Sequence, residues 1–168
     1  MSKAVLISIR PQWCEKIANG EKTIEVRKTR PKLETPFKGY IYCTNGQTIR
    51  TAPKAYCKNV DGSIVYKQEI MNGKVIGEFV CDGIYPIRYT MDGFADVVDC
   101  NRSLLKPSDF ITYGKGKPLY GWHISNLKLY DEPKKLSEFT ELRKTRFGME
   151  PVAITRPPQS WGYVEELP

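Results

Sequence analysis

The sequence predicts an α+β fold, a small mixed β-barrel with short flanking helices. Short stretches rich in β-branched, aliphatic and aromatic residues recur along the chain, as strands of a small closed sheet do. Helix-like segments are few and brief, and glycine, asparagine and proline turn signals separate the strands. At 168 residues the chain reads as one domain over 1–168. A peripheral hairpin or loop insertion is expected at about 45–74, and a C-terminal extension at about 132–168. A chain of about 150 residues buries roughly 70% of its unfolded surface, so its core needs neither disulfide nor metal.

Residues 3–9, KAVLISI, form the first expected strand. Pro11 suits the first turn of a short helix, Trp13 and Ile17 give it an apolar face, and Asn19-Gly20 ends it. Residues 23–27 alternate, with Ile24 and Val26 on one face and Thr23, Glu25 and Arg27 on the other. Residues 39–44 are a further strand. Residues 45–74 are polar and irregular, with hairpin turns expected at Asp61-Gly62 and Asn72-Gly73. Strands follow at 74–82 and 84–89, then a helical turn after Pro107-Ser108-Asp109 and one long aromatic strand at 119–130. A short amphipathic turn is expected within 132–139, a polar, mobile stretch over 140–153, and a last strand in the tail RPPQSWGYVEE.

Apolar residues make up 40% and charged residues 27%, as in ordinary globular proteins. No stretch is long enough to span a membrane and the first residues lack a signal-peptide pattern, so the expected location is the cytoplasm. Five scattered cysteines without a Cys-x-x-Cys pair fit reduced thiols rather than a disulfide framework or zinc site. No metal or other cofactor is expected. The net charge of +7 is compatible with a polyanionic partner.

The segment Gly20-x-Lys22-x-x-Glu25-x-Arg27 resembles the Gly-x-Lys-x-x-Glu-x-Arg signature of the ASCH domain (activating signal cointegrator homology). Its lead-in, SIRPQWCEKIANGEKTIEVR, looks like the start of a bacterial or phage member. The resemblance implies a PUA-like β-barrel over most of residues 3–131 plus a C-terminal strand. It also implies RNA binding in a positively charged cleft beside the signature. Some members are enzymes, including a ribonuclease and an amidohydrolase that removes the acyl group from 4-N-acetylcytidine. The signature lysine of that amidohydrolase is matched by Lys22. Its nucleophilic threonine lies three residues after the lysine, where this chain has Glu25; Thr23 is too early.

Lys22 and Arg27 are therefore the expected contacts for a phosphate or developing oxyanion, with Glu25 orienting them or accepting a proton. If the protein is an enzyme, Lys22 and Glu25 are its catalytic residues. The alternative is a structural ion pair on the barrel rim. Arg10, Gln12 and Trp13 just before the signature are echoed by Arg156, Gln159 and Trp161. Glutamine reads base edges and tryptophan stacks bases, while both tryptophans could equally be barrel anchors. His123, the only histidine, shares a strand face with Ser125. Glu78 and Asp82 interrupt another strand, where Glu25 with Glu78 would suit a divalent ion. The basic stretches 28–32, which includes Lys28, and 115–117 offer phosphate contacts. The expected function is RNA or nucleotide binding. A hydrolase acting on RNA or modified nucleosides is the alternative, and a protein-interaction scaffold the second.

Overall fold

The apolar run that opens the sequence is buried on both faces. In the computed structural model, which describes residues 2–46, 54–58, 64–67 and 71–168, β1 (Lys3–Ile9) sends Val5, Ile7 and Ile9 into one core cluster. Ala4 and Leu6 enter another. A strand covered on both sides reads as a nearly continuous hydrophobic run. β1 lies between β3 (Phe37–Cys43), which runs parallel to it, and the antiparallel β12 (Trp161–Glu165). With β6 (Lys74–Cys81) and β9 (Ser125–Lys134) the sheet order is β12-β1-β3-β6-β9.

A second, three-stranded sheet has the order β2-β8-β7: β2 (Ile24–Arg27), β8 (Tyr120–His123) and β7 (Ile84–Pro86). Two antiparallel pairs form sheets of their own, β4 (Lys54–Lys58) with β5 (Ile64–Lys67) and β10 (Thr140–Thr145) with β11 (Gly148–Ala153). The class is α+β, as expected. Among the described residues, however, no hydrogen-bonded ladder closes these sheets into one barrel. The helices are α1 (Pro11–Ala18), α2 (Val97–Ser103) and α3 (Pro107–Gly114), none long and apolar enough to cross a membrane.

Three clusters hold the layers together. One joins the inner face of β1 and β3 to Cys14 and Ile17 of α1 and to Trp122 of β8. A second covers the opposite face of the five-stranded sheet with Phe139 and Ile154. The third packs Ile24 and Val26 against Ile87, Phe110 and Leu119.

Several elements depart from the sequence expectation. The run 119–130 is two strands in two sheets. Ile124 donates its N–H to the Thr23 carbonyl at 2.9 Å, and Asn126 takes a left-handed φ of 47°, a conformation asparagine tolerates better than most. The stretch 140–153 is the ordered hairpin β10–β11. Between β9 and β10 runs a 3₁₀ turn, Leu136–Glu138, started by a Lys135 N–H bond to Glu138 Oε1 at 2.7 Å. α2 was not visible as a periodic pattern because Val97 and Val98 are exposed, at 70% and 57%. Its only local signal is the Asp96 N-cap, which accepts from the Val98 N–H at 2.9 Å. The turn at Asn72-Gly73 leads into β6 with Gly73 at φ 75°; Asp61-Gly62 lies outside the described residues.

Candidate functional site

Because Ile24 and Val26 commit one face of β2 to the third cluster, Glu25 and Arg27 must face the other way. That face is covered as well: Glu25 is 7% and Arg27 8% exposed. Arg27 Nη2 lies 3.0 Å from Glu25 Oε1 and donates to the Ser8 carbonyl of β1 at 2.6 Å. Its Nη1 reaches Ser160 Oγ at 3.2 Å and the Ser160 carbonyl at 3.4 Å. One guanidinium thus links β2, β1 and the approach to β12 across a gap that no backbone ladder bridges.

Lys22 arrives from the loop after α1. Gly20, at φ 75°, makes the turn, and the Thr23 N–H bonds to the Arg102 carbonyl at 3.0 Å, pinning the loop to the end of α2. Lys22 Nζ then donates to the Ser103 carbonyl at 2.7 Å and sits 3.4 Å from Glu25 Oε2 and 4.9 Å from the Trp13 ring centroid. The sequence expectation made this lysine a contact for a phosphate or oxyanion. It is instead 2% exposed, and burial holds its pKa below the ordinary lysine value despite the opposing pull of Glu25.

Two cations against one carboxylate leave this buried triad with a surplus positive charge. Its hydrogen bonding is also incomplete: Arg27 Nε and Trp122 Nε1 are buried without a hydrogen-bond partner, and Glu25 Oε2 has only the long 3.4 Å ion pair with Lys22. Glu25 and Trp122 are cross-strand neighbours in the β2–β8 ladder. Buried polar atoms left unpaired are rare in folded proteins, so their concentration here marks the triad as an unusual feature of the fold.

The sequence matches no family model and no curated protein. Solved structures resemble the chain closely in fold. They include ASCH from Zymomonas mobilis, at TM-score 0.60 and 17% identity over 97% of this chain and 88% of that one. A point mutant of the same protein aligns at 0.59 and 18%, covering 98% of this chain and 92% of that chain. Another aligns at 0.59 and 17%, covering 97% and 89%. The chain has the ASCH fold.

Within this ASCH fold, the residues around the triad divide into those at the site and those elsewhere. Arg10, Gln12 and Lys28 are exposed and Trp13 is half-buried. Lys28 Nζ stands 4.8 Å over the ring of Tyr113, a residue the sequence reading did not single out. Burial raises the Tyr113 hydroxyl pKa, and Arg27, Glu25 and Arg10 all act on it electrostatically, so Tyr113 belongs to the same neighbourhood. It also brings up the second basic stretch, since exposed Lys115 and Lys117 follow it directly. The first and last strands pair, with Ile7 opposite Trp161. Trp161 is an anchor, tilted against Trp122 at 5.7 Å and donating to Thr29 Oγ1 at 3.0 Å. Gln159 is exposed in the bend before it.

His123 and Ser125 are not part of this group. His123 is the cross-strand neighbour of Ile24 and so faces away from Glu25; its Nδ1 lies 2.6 Å from Asp82 Oδ1. Ser125 Oγ donates to the Val80 carbonyl at 2.9 Å. Glu78 pairs with Tyr40 on the second-cluster face and accepts from Tyr130 Oη at 2.8 Å, so it does not meet Glu25. No group of three or more histidine, cysteine or acidic residues suited to a metal occurs among the described residues. The serines that complete the triad, Ser8, Ser103 and Ser160, contribute mainly backbone carbonyls, which any residue type supplies, so no sequence signal could have marked them.

Proposed function

We propose that this protein binds RNA or nucleotides on the surface around Trp13, Arg10, Lys28 and Tyr113, above the Lys22–Glu25–Arg27 triad. The observation that carries this reading is the group of exposed cations, Arg10 and Lys28 among them, that pair with no carboxylate among the described residues and lie beside a buried triad with a surplus positive charge. A purely structural ion pair gains nothing from a second buried cation, because each desolvated charge costs energy unless it is compensated. A phosphate supplies the missing negative charge, and Trp13 offers an aromatic face to a base.

The test is a fluorescence-anisotropy titration against single- and double-stranded RNA and DNA across a salt series. Binding should weaken steeply with salt through counterion release, and Trp13→Ala or the exposed pair Arg10→Ala/Lys28→Ala should damage it. Absent or salt-independent binding refutes the reading.

A hydrolase acting on RNA or modified nucleosides is the second reading, favoured by one observation: burial lowers the pKa of Lys22 beside Glu25, which readies an amine for proton transfer. It ranks below binding because Lys22 Nζ is enclosed by the Ser103 carbonyl, Glu25 and Trp13. Product analysis on the titration samples decides it: turnover that Lys22→Ala abolishes in a folded chain supports hydrolysis, and intact RNA after prolonged incubation removes it.

A further inference from the structure

Residues 28–32, Lys-Thr-Arg-Pro-Lys, leave β2 as an irregular strap whose Lys28, Thr29, Arg30 and Lys32 are exposed while Pro31 is buried beneath them. Each end is tied to a tyrosine. Lys28 Nζ lies over Tyr113 at the end of α3, and the Lys32 backbone N–H donates to Tyr163 Oη of β12 at 2.8 Å. Between them, Thr29 holds Trp161. Both tyrosines are 37% exposed. Each also has a lysine over its ring, Lys28 on Tyr113 at 4.8 Å and Lys3 on Tyr163 at 5.8 Å. The Tyr163 ring is set edge-on against Trp161 at 5.5 Å, and Trp161 leans on buried Trp122. This aromatic chain runs from the surface to the core and fixes the outer ring in place.

We infer that the strap and its two tyrosines form a track for single-stranded RNA. One base stacks on Tyr113, another on Tyr163, and the intervening phosphates run along Lys28, Arg30 and Lys32. The inference rests on the RNA-binding reading above and narrows its ligand. Stacking on an exposed ring needs an unpaired base, which a duplex keeps inside its helix. A mononucleotide reaches only one ring. From residue 28 to 32 the strap spans at most about 14 Å. Bases stacked at about 3.4 Å per nucleotide cover that distance in about four nucleotides, and an extended strand does so in fewer. Pro31 fixes its own φ and both ends are tied to tyrosines, so the strap's backbone has little conformational freedom to lose.

The experiment titrates the full chain with labelled oligouridylates of two, four, six and ten nucleotides and with a duplex, for wild type, Tyr113→Leu, Tyr163→Leu and Tyr163→Phe, with a melting curve for each. Affinity should climb steeply up to about six nucleotides and then level off, with the duplex binding less tightly. Each leucine variant should weaken the hexamer about tenfold, the loss of one base stack, while Tyr163→Phe keeps its ring, loses only the bond to the Lys32 N–H, and should weaken the hexamer less than Tyr163→Leu does. Hexamer affinity unchanged in both folded leucine variants overturns the track; salt-sensitive RNA binding that persists in them leaves the broader reading standing. No RNA binding by the wild type ends both. Should either leucine variant melt early, ultraviolet crosslinking of a 5-bromouridine hexamer to the wild type replaces it. Adducts at Tyr113 or Tyr163 are expected, and adducts confined to other peptides refute the track.

Discussion

Glu25→Gln is the sharpest probe of the buried triad. Glutamine keeps the shape of the side chain and an amide oxygen to accept from Arg27, so no cavity opens and only the charge is lost. Two cations, 2% and 8% exposed, then lie together without a counter-charge. Breaking a buried ion pair by removing one partner costs about 3–5 kcal/mol, a large share of the roughly 5–15 kcal/mol that holds a domain folded. The penalty has a pH signature. Burial already sets the folded-state pKa of Lys22 below its ordinary 10.5, with Glu25 the main influence holding it up. Without Glu25 it falls further. Between the folded and unfolded pKa values the unfolded chain binds more protons, so stability rises with pH across that window. Below the folded pKa the penalty is present in full; above 10.5 its Lys22 share is gone. The gap between Glu25→Gln and wild type should therefore be widest near neutral pH and shrink toward pH 10. Urea unfolding at several pH values, followed by tryptophan fluorescence, measures it. A loss under about 1 kcal/mol at neutral pH, or a gap that widens with pH, refutes the account of the triad.

Three other outcomes follow from particular contacts. Lys28→Ala should lower the salt dependence of single-stranded RNA binding by about 0.7 in the log–log slope, one phosphate contact, as read from titrations at four salt concentrations. Gly39→Ala should destabilise by about 1–3 kcal/mol in thermal unfolding, because a Cβ there runs into the ring of Phe79, its cross-strand neighbour. Asp82→Asn should cost under about 1 kcal/mol, since the pair with His123 is partly solvent-exposed. Because His123 holds the Asp82 pKa below its ordinary 3.8, what the pair contributes is present above that value and lost as pH falls through the folded pKa. Comparing wild type and Asp82→Asn in acid unfolding checks both points.

The strands nearest the amino terminus were legible because their local chemistry agrees with the fold. The run Lys3–Ile9, the proline-led helix and the alternation of β2 all keep their expected places. The split of residues 119–130 was not legible. Periodicity reports strand character without naming a partner, and the break depends on an Ile124 bond to Thr23, about a hundred residues away. The β10–β11 hairpin was hidden for a related reason. One face carries exposed Leu142 and Met149 beside Lys144, and the other carries Glu141, Arg143 and Glu150 with Val152, so neither a clean alternation nor a buried run appears. In the site, alternation separated Glu25 and Arg27 from Ile24 and Val26 correctly. It could not say that both faces would be covered, because the cover comes from β1, the approach to β12 and the loop after α1.

Arg27 and the strap beyond it carry different kinds of information. Arg27 joins β2, β1 and the approach to β12, so the fold alone accounts for its presence and it says little about a ligand. Lys28, Arg30 and Lys32 make no ion pair among the described residues, and exposed cations of this kind add nothing measurable to stability. In a chain of net charge +7, placing them beside a triad that already holds a surplus positive charge adds self-repulsion. Stability thus opposes this arrangement mildly, whereas an anionic strand lying along it reverses the sign of every one of those terms. Function is therefore better sought in the strap the fold does not need than in the signature residues the fold cannot do without.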